Sequence, residues 1–244
     1  MTVAFSITLF GGPPLVTGDA LPADLGVLEI YGGQRYQKSP DGTVNRESSL
    51  ELAYGLARDW EVSLETPYLS EGKIHDWEDL NVATKYRLVH ETVSSPAIAI
   101  SLKAELPTAD ASRGLGYDKT IFSTRARAQK SFGAWTTLTN LGYTFLGEPV
   151  IDHVKKSRVD PWFASLAEEW KVAKKTSIAA EVYLQTRDKP TAPNRLAYSF
   201  AIKQKLTPDL RLHAACGSSL REHDRGGPKL RALVGFKYEW HVRH

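Results

Sequence analysis

The stretch SLELAYGLARDWEVSLETPYL, residues 49–69, alternates apolar and polar side chains on both sides of a short break. Before the break, one face of an extended chain carries Leu50, Leu52, Tyr54 and Leu56. After the break at residues 57–59, the alternation resumes at Trp60. A period of two is the repeat of a β-strand, and a break this short makes a hairpin. The stretch therefore predicts two antiparallel strands with one apolar and one polar face.

The same alternation recurs along the chain and predicts an all-β protein with about twelve strands. They lie near residues 26–37, 46–56, 60–68, 79–89, 96–106, 120–130, 134–145, 160–170, 176–186, 194–205, 209–218 and 229–241. Most of these segments are 9–13 residues long. Strands of soluble proteins typically have about 5–6 residues, whereas a tilted strand that crosses a bilayer needs about 9–11. The lengths favour an up-and-down antiparallel transmembrane β-barrel.

Composition excludes several other classes of protein. The chain has 244 residues, of which 42% are hydrophobic and 24% charged, so it is not a disordered chain. It contains no run of about 18 apolar residues, so no helical membrane span is expected. The net charge of +3 is too small and too dispersed to indicate a nucleic-acid partner.

The links between predicted strands alternate strictly between short and long. The short links are ARD, ETVSS, SFG, KVAKKTS and TPD. The long links are SPDGTVN, SEGKIHDWED, PTADASRGLGYD, GEPVIDHVKKSR, RDKPTAP and REHDRGGP. Outer-membrane barrels have short periplasmic turns and long external loops, and an even strand count brings both termini to the short-turn end. The alternation predicts this polarity.

Aromatic residues cluster at the ends of the predicted strands. Those at the short-turn end are Trp60, Trp135, Trp170 and Trp240. Those toward the long-loop end are Trp162, Tyr68, Tyr143 and Phe145. Amphipathic rings accumulate where a membrane meets water, so we expect these residues to mark the two interfaces.

The polar strand face mixes acids and bases, which predicts paired charges across a wet lumen. The candidates for the solute pathway are Arg87, Lys103, Glu105, Arg125, Arg127, Glu181 and Arg211. Eight strands enclose a filled interior and sixteen an open channel, so twelve predict a narrow, partly plugged lumen. For Glu181, in the middle of a strand, both a structural ion pair with a lumen arginine and a substrate or proton role stay open. Glu168 falls on the apolar face, which only a bulge or a place near the rim explains.

Signals of catalysis are missing from the sequence. No serine is linked by a motif to His213, and no nucleophile elbow occurs. The histidines lack ligand spacing, and Cys216 is the single cysteine. We therefore expect no enzyme, no catalytic residue, no metal and no cofactor.

Several phrases in order resemble a known family. They are GGPPLVTGDA, the opening stretch, DWEDLNVATKYRLV, AISLKAELPTAD with GLGYDKT, and LTNLGYTFLG. Over residues 11–240 the chain resembles bacterial outer-membrane proteins grouped as transporters of the phenol meta-degradation pathway. The resemblance implies an outer-membrane barrel and passage of hydrophobic or aromatic compounds. The chain departs from the family at Thr17-Gly18-Asp19, where the family prefers Thr-Asp-Asp, and in having four residues after Trp240 of the C-terminal signature.

The expected organisation is an N-terminal segment, residues 1–24, periplasmic or a remnant of an export region, followed by one barrel over residues 25–244. MTVAFSITLF carries no convincing export signal, although we expect a Gram-negative outer-membrane location. Expected partners are outer-membrane lipid, a small hydrophobic solute and the barrel-assembly machinery during biogenesis. The predicted function is passive uptake of small hydrophobic or aromatic compounds. A non-transporting structural or adhesive barrel, and a soluble β protein that binds a lipid-like ligand, are the alternatives.

Overall fold

A computed structural model describes residues 14–72, 74–146, 159–188, 193–220 and 227–241 of the chain. The strands are β1 (Val27–Lys38), β2 (Val44–Ala57), β3 (Trp60–Glu71), β4 (Ile74–Trp77), β5 (Leu80–Val89), β6 (Ala97–Leu106), β7 (Ile121–Phe132), β8 (Trp135–Phe145), β9 (Trp162–Ala173), β10 (Thr176–Gln185), β11 (Arg195–Lys205), β12 (Leu210–Ser219) and β13 (Leu230–His241). One turn of 3-10 helix lies at Ala111–Arg113. Among the described residues, no helix is long and apolar enough to cross a membrane.

The strands form a closed antiparallel barrel. Each barrel strand pairs with its neighbours in sequence, and β1 pairs with both β2 and β13, which closes the sheet. The register of the closing pair runs from Val27 opposite His241 to Lys38 opposite Leu230. The predicted twelve-stranded barrel is confirmed. The sequence did not predict β4, a four-residue strand that extends the loop end of β3 through the pair Tyr68 and Trp77.

The two ends of the barrel differ as the link lengths predict. At one end the turns are tight, and β7 and β8 are joined by two residues with Gly133 at φ 63°. Residues 107–120 form a long link at the opposite end, between β6 and β7. Three other long links lie partly outside the described residues, at 147–158, 189–192 and 221–226.

The outer surface of the barrel is apolar and its interior is polar. On the outside, Phe200 is 58% exposed and Val234 59% exposed, whereas Glu65 faces inward and is 5% exposed. Exposed apolar patches on soluble monomers rarely exceed a few hundred Å², so a belt around a whole barrel suits hydrocarbon. A soluble barrel needs its apolar face inward. That alternative is wrong for this chain.

The rim positions also account for the residues at the strand ends. The rings of Trp135 and Trp170 stack on neighbouring strands with centroids 5.1 Å apart. Glu168 is exposed on the outer face two residues before Trp170, where Thr137 Oγ1 donates a hydrogen bond of 2.7 Å to its Oε1. A place near the short-turn rim therefore explains the carboxylate that breaks the apolar pattern.

Candidate functional site: a lumen occupied by the N-terminal segment

The chain that precedes β1 folds back into the barrel. It makes this reversal beside Gly55, where a Cβ atom would lie 2.0 Å from the carbonyl oxygen of Asp24. Only glycine allows that approach, and Gly26 N donates to Gly55 O at 2.9 Å next to it. Residues 14–24, called the plug below, consequently lie in the lumen. The sequence analysis expected residues 1–24 to be an N-terminal segment, periplasmic or a remnant of an export region; the structure places residues 14–24 against the lumen wall, and residues 1–13 lie outside the described residues.

Glu181 on β10 is the main anchor of the plug. Its carboxylate accepts from Val16 N at 3.0 and 3.1 Å, from Thr17 N at 2.9 Å and from Thr17 Oγ1 at 2.9 Å. Glu181 is 5% exposed, and buried N–H groups need acceptors because water cannot reach them. The structure thus gives Glu181 a contact that the sequence analysis did not consider, namely the backbone of its own N-terminal segment.

Asn140 on β8 is the second anchor. Its Oδ1 accepts from Gly18 N, and its Nδ2 donates to Gly18 O, each at 2.8 Å. An amide side chain can satisfy both groups of one peptide residue in this way. The pairing fixes the position of the plug along the barrel axis at Gly18.

Basic lumen residues bind the carbonyl groups of the plug. Arg125 Nη1 donates to Val16 O at 3.3 Å, and Arg127 Nη1 donates to Asp19 O at 3.1 Å. Lys85 Nζ lies 3.5 Å from the Asp19 carboxylate. These contacts place one positive group after another along the same stretch of backbone.

Closer to the short-turn end, the wall residue that binds the plug is an acid. Glu61 Oε2 accepts from Ala23 N at 2.7 Å and lies 3.1 Å from Lys85 Nζ. The plug therefore runs from β1 toward the middle of the barrel with its backbone polar groups paired to the wall. Acceptors on the wall face the N–H groups of Val16, Thr17, Gly18 and Ala23. Donors on the wall face the carbonyl groups of Val16, Gly18 and Asp19.

Apolar plug side chains fit between small lumen side chains. Leu15 packs with Leu138, Ala167, Ala179 and Ala201. Val16 packs with Phe163, Tyr183 and Ala197. Ala20 packs with Ala97 and Ala99. Alanines at inward positions make room for the plug, which larger side chains would exclude.

Acids predominate on one side of the lumen and bases on the facing side, although Arg35 on β1 pairs with Glu47, and Glu105 on β6 pairs with Lys103. The acids lie on β1 to β3 and are Glu29, Glu47, Glu51, Glu61 and Glu65. The facing bases lie on β5 to β7 and are Lys85, Lys103, Arg125 and Arg127. Between them is a cavity of about 50 Å³, which holds only a few waters, since one water needs about 10–15 Å³. With the plug in place, this part of the lumen admits water but no organic solute.

The predicted pathway residues divide into two groups. Three of them contact the plug, namely Arg125, Arg127 and Glu181. The other four have different surroundings in the described part of the chain. Lys103 bonds to Glu105, and Arg87 binds Asp59 Oδ1 at 2.6 and 2.8 Å at the short-turn rim. Arg211 is half-buried near the start of β12. A pathway role for all seven stays a prediction.

Sequence reasoning missed other lumen contacts of the plug. It placed Glu61 and Lys85 on the polar face without choosing them, and it did not consider Asn140. One signal was available for Asn140, because a polar amide stands between Leu138 and Leu141 in TTLTNLGYTF. Within the described parts of the chain, no group of three or more histidine, cysteine or acidic residues is placed to hold a metal ion.

Comparison with known proteins yields likeness of structure without likeness of sequence. No family model matches the chain, and no curated protein matches it. Its structure is similar to that of an outer membrane channel from Pseudomonas putida F1, with a TM-score of 0.78 and 12% identity over 93% of this chain and 100% of that one. The fold is that of an outer-membrane β-barrel.

Two further structures support the same fold. The NanC porin matches with a TM-score of 0.64 and 13% identity, over 86% of this chain and 98% of its own. The CymD monoaromatic hydrocarbon channel matches with a TM-score of 0.52 and 8% identity, over 91% of this chain and 90% of its own. All three are channels or porins rather than enzymes. The resemblance to transporters of the phenol meta-pathway stays a prediction, since no family model matches.

Proposed function

We propose that this protein is a channel of the Gram-negative outer membrane, closed by residues 14–24 and opened when that plug leaves the lumen. The observation that carries the proposal is the bonding of the plug backbone to Glu181, Asn140 and Arg125 on the barrel wall. The apolar outer belt supports the membrane location, and the similar channels and porins support the general role.

The chemistry of these contacts favours a reversible closure. Intramolecular hydrogen bonds contribute only about 0.5–1.5 kcal/mol each, or about 1.5–3 kcal/mol where one partner is charged, because water replaces them when they break. The wall groups that bind the plug are charged or polar, so water can hydrate them when the plug leaves the lumen. The buried side chains of Leu15, Val16 and Ala20 add apolar contacts with the wall.

Passive uptake of small hydrophobic or aromatic compounds is the finer part of the proposal. The family resemblance supports it, and one structural neighbour is a monoaromatic hydrocarbon channel. The wall of the central cavity carries acids and bases, however, so a purely apolar solute finds few partners there. Solutes that combine a ring with a polar group suit this wall better.

Ionic current across planar bilayers tests the channel against the alternative of a structural or adhesive barrel. We expect discrete current steps from the wild-type protein and a larger open fraction from Asn140→Ala, which removes both bonds to Gly18. Gln204→Ala is a matched control, because its bonds join Thr176 and Lys205 at the short-turn end. If the wild type, Asn140→Ala and Gln204→Ala all fold correctly and none of them carries current, the proposal is overturned in favour of a structural or adhesive barrel.

A further inference from the structure

The side chain of Val16 occupies an aromatic niche on the lumen wall. It packs against Phe163 on β9, Tyr183 on β10 and Ala197 on β11. The two rings have centroids 6.2 Å apart and planes inclined by 29°. This is the one described plug contact that includes aromatic side chains, and the niche has the flat, apolar walls that a ring requires.

Two arginines border the niche. The Arg125 guanidinium carbon lies 4.1 Å from the centroid of the Phe163 ring. On the other side, Arg231 lies 5.5 Å from the Tyr183 centroid and donates a hydrogen bond to the Tyr183 hydroxyl. Guanidinium groups stacked on rings are attracted by the π-face and keep their edges available for carboxylates. A Cβ at Gly142 would lie 2.9 Å from Arg125 Cγ, so glycine makes room for the arginine.

Arg231 has unused donor capacity in the closed state. Its side chain lies in the lumen with the residue only 9% exposed, and its Nε has no hydrogen-bond partner among the described residues. It lines a cavity of about 20 Å³ together with Pro14, Val16 and Ser199. That volume is room for about one water. A buried cationic donor without a described acceptor leaves one hydrogen bond open for a water or for an oxygen of a ligand.

The Val16 residue of the plug imitates a ligand at this place. Its apolar side chain fills the niche, and its carbonyl oxygen accepts from Arg125 Nη1 at 3.3 Å. When the plug leaves, the niche loses its apolar group and Arg125 loses an oxygen acceptor. A molecule that combines an aromatic ring with an adjacent anionic oxygen replaces both.

We propose that the open lumen binds a small aromatic monocarboxylate, with its ring packed against Phe163 and Tyr183 in place of the Val16 side chain and its carboxylate on Arg125 and Arg231. This inference rests on the proposed channel function, because the plug must leave before the site is accessible. Local charge favours a monoanion, since Arg125 and Arg231 are opposed by Glu181, whereas the nearby Arg35 pairs with Glu47 at 3.1 Å.

Binding of phenylacetate to the full-length protein in detergent tests the site, by saturation-transfer NMR. Benzyl alcohol keeps the ring without the charge, and acetate keeps the charge without the ring. We expect phenylacetate to bind about ten-fold more tightly than either, in line with one charge-assisted bond. Equal binding of phenylacetate and acetate, or of phenylacetate and benzyl alcohol, would overturn the proposal.

Variants assign the binding to these residues. Arg231→Gln is expected to weaken phenylacetate binding about ten-fold, and Arg58→Gln, in the exposed turn between β2 and β3, to leave it unchanged. Phe163→Leu keeps an apolar side chain but removes the ring, and provides a second test should Arg231→Gln fail to show the heat-dependent gel shift of a folded barrel. Unchanged binding in whichever of the two variants folds, or an equal loss in Arg58→Gln, overturns the site.

Competition between phenylacetate and the plug for the same place provides a further test. Asn140→Ala loosens the plug without touching the niche, so the apparent affinity for phenylacetate should rise, because a larger fraction of molecules is open. An unchanged affinity contradicts a site beneath the plug.

Current without selective phenylacetate binding overturns the site and keeps the channel. Selective binding without current overturns the channel and keeps the site.

Discussion

Replacing Glu181 by glutamine should open the channel. The Glu181 carboxylate accepts from three donors, Val16 N, Thr17 N and Thr17 Oγ1, at 2.9–3.1 Å. Glutamine keeps one oxygen, and its amide group is a donor that faces other donors. Bonds to a charged group contribute about 1.5–3 kcal/mol each, so we expect the closed state to lose about 3 kcal/mol. This loss raises the ratio of open to closed molecules about one hundred-fold.

The measurement is the open fraction of single channels in planar bilayers. Glu169→Gln is the matched control, because it removes the same charge from a residue that binds Lys203 Nζ at 2.6 Å and has no described bond to the plug. We expect Glu169→Gln to stay near the wild-type open fraction while Glu181→Gln gates open. If Glu181→Gln leaves the open fraction unchanged, or if both variants raise it equally, the anchoring role of Glu181 is refuted.

Three other predictions concern the two faces and the rim. Leu64→Arg, on the outer face, should cost about 2–4 kcal/mol of folding stability at the bilayer midplane, measured by chemical unfolding in lipid vesicles. Ser63→Arg, which points into the lumen cavity, should fold and change the current, and a larger stability loss here than for Leu64→Arg would invert the faces. Arg87→Gln should lower the folding stability slightly at neutral pH, because it breaks the ion pair with Asp59 at the short-turn rim. The bonds from Arg87 hold the pKa of Asp59 below its ordinary value of 3.8. The stability difference between the wild type and Arg87→Gln should therefore persist down to about pH 3.8 and disappear as the pH falls through the lowered pKa. Unfolding midpoints measured between pH 2 and 7 would reveal this loss.

Strand positions and faces were predictable because a period of two is a local property of the sequence. The segments around residues 49–69 alternate so regularly that their register follows once the barrel is closed. The strand β4 was not predictable in this way, since four residues are too few to establish a period. Glu168 required the structure, because its place near the rim depends on the neighbouring strand that carries Thr137.

The plug was beyond local reasoning. Residues 14–24 show no strand or helix period, and their hydrogen-bond partners lie from 38 residues away, at Glu61, to 165 residues away, at Glu181. Sequence alone predicted that the lumen would be narrow and partly filled, and that Arg125, Arg127 and Glu181 would face it. It did not predict which segment fills the lumen, because a lumen carboxylate serves an arginine and a backbone N–H equally well.

A reversible disulfide between the plug and the wall tests the central claim most directly. Ala20 and Ala99 are fully buried in one cluster, so Ala20→Cys with Ala99→Cys, in a Cys216→Ser background, should cross-link within the folded barrel. We predict that the oxidised protein carries no current in planar bilayers and that dithiothreitol restores current steps, while neither single-cysteine variant responds to the reductant. A folded protein in which the disulfide does not form, or whose oxidised form conducts as well as its reduced form, would contradict a channel closed by its own N-terminal segment.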